Sequence, residues 1–161
     1  MKRLPCILVV DNIRSLYNIG SIFRTADGVL LEAIRLGGIS GCPPNRQIEK
    51  TALGATKTVP YRHDVDIVDK VKYFKKLGRK IYALELTDKS KNYTEIQFKF
   101  PCVLIIGNEV DGVSDKVMEL VDEAVDISMM GRANSLNVAT AFAVIAYEML
   151  RQWKIKNNCT K

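Results

Sequence analysis

Val103-Leu104-Ile105-Ile106-Gly107-Asn108-Glu109-Val110-Asp111-Gly112 passes from an unbroken apolar run into a short polar loop bounded by glycines. A run with no polar alternation reads as a strand covered on both faces, the habit of parallel sheets flanked by helices. Working outward, similar runs recur at Ile7-Leu8-Val9-Val10, Ala33-Ile34-Arg35-Leu36, Lys80-Ile81-Tyr82-Ala83-Leu84 and Ala124-Val125-Asp126-Ile127, separated by helix-length segments. The alternation predicts an α/β domain with a mainly parallel sheet.

Between the first two runs, Ile19, Ile22, Phe23, Ala26 and Val29 repeat at helical spacing, with Asn18 as the expected N-cap. Further helices are expected over Arg46 to Leu53, Val65 to Leu77 and Asp115 to Val121, the last capped by Ser114. Gly37 to Pro44 is too rich in chain breakers for regular structure. The last helix, Leu136 to Trp153, is apolar nearly all round and needs cover on several sides, which favours a homodimer.

Composition narrows the class. The 161 residues make one domain, and 47% hydrophobic residues suffice for a core. The net charge of +6 favours a polyanionic partner. Cys6, Cys42, Cys102 and Cys159 are scattered, and His63 is the one histidine, so neither a metal site nor a disulfide framework is indicated. The apolar run before Asp11 is too short for a signal peptide or membrane span, and a cytoplasmic location is expected.

Three polar segments follow strands, where open α/β sheets place ligand sites. Asp11 to Arg24 offers amides, arginines and a helix entry suited to phosphate or ribose, or simply a capped helix with surface arginines. Gly107 to Gly112 lets backbone approach a ligand and brings Glu109 to a place not wholly solvated, or is an ordinary turn. It is neither a P-loop nor a GxGxxG fingerprint. Gly131-Arg132-Ala133-Asn134-Ser135-Leu136-Asn137 could be a helix start at Asn134 or Ser135, yet it carries more polar side chains than one cap requires. No base adjoins Ser135, which argues against a hydrolase triad.

Taken in order, Asn18 to Ala26, Ile106 to Gly112 and Ile127 to Ala139 resemble the three motifs of the SpoU, or TrmH-like, branch of the SPOUT RNA ribose 2′-O-methyltransferases. The resemblance covers nearly the whole chain. It implies a parallel sheet with helices on both faces and a deep C-terminal trefoil knot, a feature nearly absent among proteins. It further implies S-adenosylmethionine as cofactor, S-adenosylhomocysteine as product, a homodimer, and methylation of a ribose 2′-hydroxyl in tRNA or rRNA. By motif position, Arg24 is the catalytic arginine, Asn18 and Glu109 arrange the site, and Ser135 and Asn137 lie beside the methyl donor. Leu84, Gly107, Ile127, Met129 and Leu136 match positions that wrap the cofactor.

Arg24 is either the proton acceptor, against the usual permanence of guanidinium charge, or the stabiliser of a developing alkoxide while Ser135 or water relays the proton. Residues 1–161 read as one catalytic domain without an appended RNA-binding domain, so this domain itself must hold RNA. Arg14 and Arg132 lead the candidates, with Arg46, Lys50, Lys57, Arg151, Trp153, Lys154 and Lys156. The lysines from Lys70 to Lys80 fit a solvated surface. A non-catalytic RNA-binding or assembly protein on the same fold is the alternative; it predicts loss of Arg24, Glu109 or the Ser135 and Asn137 pair, and all are present.

Overall fold

In the computed structural model, which describes residues 2–157, seven parallel strands form one sheet. They are β1 (Leu4–Asp11), β2 (Leu31–Gly37), β3 (Tyr61–Asp64), β4 (Lys80–Leu84), β5 (Lys91–Asn92), β6 (Cys102–Gly107) and β7 (Glu123–Asp126), in the order β3-β2-β1-β6-β4-β7-β5. The helices are α1 (Leu16–Gly28), α2 (Arg46–Ala52), α3 (Ile67–Lys76), α4 (Asp115–Met118) and α5 (Val138–Lys156).

Alternation along the central strands divides the core in two. Leu8, Val10, Leu104 and Ile106 pack with Ile22 and Phe23 of α1, Ile48 of α2 and Phe142 and Met149 of α5. Val9, Val103 and Ile105 pack with Val71 and Phe74 of α3 and Val117 of α4. Every residue of β6 is buried, as an apolar run covered on both faces requires.

The five strands read from sequence are all present, and two more appear. β3 carries exposed Arg62 and His63 at the sheet edge, so it lacks an apolar signature. β5 is only two residues long. His63 is structural, its Nε2 lying 2.8 Å from the Gly38 carbonyl oxygen. Cys6 and Cys102 are buried, and burial pushes the Cys102 thiol well above its ordinary range; Cys159 lies outside the described residues.

Three helix starts differ from expectation. Ser15, not Asn18, caps α1, because its side chain accepts the Asn18 N–H. The extra first turn carries half-buried Leu16 and exposed Tyr17, so apolar periodicity began one turn too late. α5 starts at Val138 instead of Leu136, with Asn137 as cap. α3 starts at Ile67 instead of Val65, because the Asp66 side chain caps it by accepting the Asp69 N–H; α4 starts at Asp115 after Ser114 as expected, but is one turn long and has no side-chain cap bond.

Candidate active site

The loops after β1, β2 and β6 meet at the carboxyl edge of the sheet through side chains that satisfy backbone groups. Asp11 is buried and accepts the Ser114 N–H at 2.8 Å. Asn12, at φ 57°, accepts the Ile39 N–H at 3.0 Å. Asn108 Nδ2 donates to the Asn12 carbonyl at 2.9 Å, while its Oδ1 accepts the Val110 and Asp111 N–H groups. Gly107 is required because a Cβ there would collide with the backbone of Gly112 and Val113, where the loop turns back on itself.

A cavity of about 460 Å³ opens at the ends of β4, β6 and β7, within the range of small-molecule sites. Leu84, Ile106, Val125, Ile127, Leu136 and Val138 supply its apolar wall, and Gly107, Glu109, Ser135 and Asn137 reach it from the second and third polar segments. Among the described residues no Lys, Arg or His lines it. Apolar walls and backbone suit an adenosyl group carrying a cationic sulfur, whereas the phosphates of ATP or NAD would meet carboxylates and no countercharge.

Three side chains far apart in sequence form one chain of hydrogen bonds. Asn137 Nδ2 donates to Asn18 Oδ1 at 3.0 Å, and Asn18 Nδ2 donates to Glu109 Oε1 at 2.6 Å. Asn137 Oδ1 simultaneously accepts the Ala139 and Thr140 N–H groups at the start of α5. Glu109 is exposed in the single chain, contrary to the expectation of partial desolvation, although it lines the cavity.

Arg24 does not line this cavity. It lies in a second depression with Ser21, Thr25, Asp27, Lys50, Thr51 and Tyr147, on α1, α2 and α5. Met129 also stays outside the cavity lining, in the segment after β7. Arg14 and Arg132 are exposed in the loop before α1 and the loop before α5. Sequence reasoning missed Glu85, Leu86, Asn108 and Asp126 in the cavity. The signal for Glu85 and Leu86 was available, since they directly follow an expected strand at its carboxyl end.

The fold and cavity define a parallel α/β protein that seats a small molecule at the carboxyl edge of its sheet. A profile of the SpoU rRNA Methylase family matches residues 5–147, and the chain belongs to that family. It is 33% identical over 153 residues to a tRNA (guanosine(18)-2'-O)-methyltransferase of Thermus thermophilus, covering 94% of this chain and 77% of that one. The Aquifex aeolicus TrmH/SpoU tRNA modifying enzyme superposes with a TM-score of 0.88 at 33% identity, covering 97% and 79% of the two chains. The AdoMet-bound rRNA methyltransferase of Sinorhizobium meliloti does so with a TM-score of 0.85 at 26% identity, covering 93% and 60%. Among the described residues no helix is long and apolar enough to cross a membrane.

Proposed function

We propose that this chain is an S-adenosylmethionine-dependent methyltransferase acting on a ribose 2′-hydroxyl of tRNA or rRNA, as a cytoplasmic homodimer without a metal. The carrying observation is the cavity at the ends of β4, β6 and β7, walled by apolar side chains, without a cationic side chain among the described residues, and joined by Asn137 and Glu109 to the first motif through Asn18. Residues 1–161 act as one catalytic domain, and the C-terminal segment is threaded as a knot.

When bound, S-adenosylmethionine would supply an electrophilic methyl group for the ribose oxygen and would be left as S-adenosylhomocysteine. The chain must then align that oxygen and manage the hydroxyl proton. Leu84, Gly107, Ile127, Ser135 and Leu136, which line the cavity, hold the cofactor. Asn18, Glu109 and Asn137 fix the relation of α1 to the cavity mouth, and Ser135 reaches the same mouth. Arg24 acts at the ribose hydroxyl, stabilising negative charge as Ser135 or water takes the proton and relays it to solvent. Exposed Arg14 and Arg132 offer countercharge to RNA phosphates. For the homodimer, support comes from exposed Tyr147 and half-buried Val144, three residues apart on α5, and from exposed Tyr17 on α1.

The test maps ribose 2′-O-methylation across total RNA from cells with and without the gene, then repeats the missing modification with purified protein, unmodified RNA and S-adenosylmethionine. At least one tRNA or rRNA position should lose its methyl group in the deletion and regain it in the purified reaction. Unchanged methylation at every position, with no transfer by the purified protein, would overturn the reading.

A further inference from the structure

Glu85 follows the last residue of β4, and its N–H donates to the Val125 carbonyl at 3.0 Å, so the sheet fixes its backbone. Its carboxylate is fixed too. Oε2 accepts the Val113 N–H at 2.9 Å, and the group packs so closely on Gly112 that a Cβ there would collide with it. Gly112 itself sits at φ 68°. Among the described residues, none donates a hydrogen bond to the second oxygen, Oε1, and no cationic side chain lines the cavity that Glu85 helps to form.

Glu85 is half-buried at the cavity lining, so a ligand that displaces solvent from its remaining oxygen must supply a donor in its place. We propose that Glu85 accepts the ribose hydroxyls of the adenosyl ligand, an inference resting on the reading of this cavity as the S-adenosylmethionine site. The vicinal diol offers two O–H donors to one rigid carboxylate, whereas the sulfonium carries no hydrogen to donate. A carboxylate at the carboxyl end of a parallel strand is a recurrent partner of a nucleotide ribose in open α/β sheets. The adjacent Leu84 and Leu86 offer no polar competitor.

Calorimetry of S-adenosylhomocysteine and its 2′,3′-dideoxy analogue against wild type, Glu85→Gln and Glu85→Ala tests this. Wild type should bind the dideoxy analogue about tenfold more weakly, the loss of a charge-assisted hydrogen bond. In Glu85→Ala the two ligands should bind within about twofold of each other. Glu85→Gln keeps an oxygen for the Val113 N–H and therefore the loop, so its ratio should fall to roughly threefold; it decides the matter if the alanine variant misfolds. A ratio unchanged in Glu85→Gln would assign the residue to loop structure alone and overturn the inference, as would a wild type indifferent to the hydroxyls. Wild type binding neither S-adenosylmethionine nor S-adenosylhomocysteine would overturn the cavity reading as well.

Discussion

Asn137 joins stability to the site through one amide. Its oxygen caps α5 and its nitrogen reaches Asn18, which in turn holds Glu109. The two ends can be separated by substitution. Asn137→Ala removes both and should cost about 1 kcal/mol, lowering Tm by roughly 2–4 °C in a calorimetric scan. Asn137→Asp keeps the capping oxygen at a helix N-terminus, so Tm should stay within about 1 °C of wild type. It nevertheless loses the donor to Asn18 and adds a charge to the end of the chain that reaches Glu109, so methyl transfer should fall in both variants. A fully active Asn137→Asp protein would show that the link to Asn18 has no part in the reaction.

β4 shows how an element couples the core to the site. Its end carries Leu84 and then Glu85 into the cavity, while Tyr82 in its middle is fully buried against Phe98 and accepts the Lys99 N–H. Burial pushes the Tyr82 phenol up to about 12, partly offset by that backbone hydrogen bond. Because the unfolded phenol ionises near its ordinary value of 10.0, the stabilisation is complete below that pH and is lost as pH rises toward 12. Urea midpoints measured between pH 9 and 11.5 should therefore fall more steeply for wild type than for Tyr82→Phe, by up to roughly 2 kcal/mol of stability. Parallel declines would assign the alkaline loss to other groups. β4 was also legible in full from Lys80 to Leu84, because burial on both faces leaves an apolar run with sharp ends. β3 was not, since an edge strand with exposed Arg62 and His63 reads like a loop. The start of α1 was misplaced for a related reason: Ser15 caps a turn whose Leu16 and Tyr17 are not fully buried, and burial is what periodicity detects. The three polar segments were legible as candidate sites because they follow strands, but their hydrogen-bonded connection spans more than a hundred residues and no local pattern encodes it.

At the scale of the whole molecule, the separation of Arg24 from the cavity becomes informative. In one chain Arg24 shares its depression with Lys50 and Tyr147, and it is absent from the residues around the cavity. Should each active site of the proposed homodimer combine the cavity of one subunit with Arg24 of the other, defects in the two places would complement. Arg24→Ala alone should retain cofactor binding and lose turnover. Ile127→Arg, which places bulk and charge in the cavity wall, should lose cofactor binding while keeping Arg24. Co-refolding equal amounts makes half of the dimers mixed, and each mixed dimer then holds one intact composite site of two, so activity should return to about a quarter of wild type. Sites built within one subunit leave every cavity in the mixture either blocked or without its arginine, and activity stays at background. Sedimentation of the same samples must show dimers in both cases. A dimeric mixture with no recovered activity would place Arg24 and the cavity in the same subunit's site, and a monomer at every concentration would remove the composite site altogether.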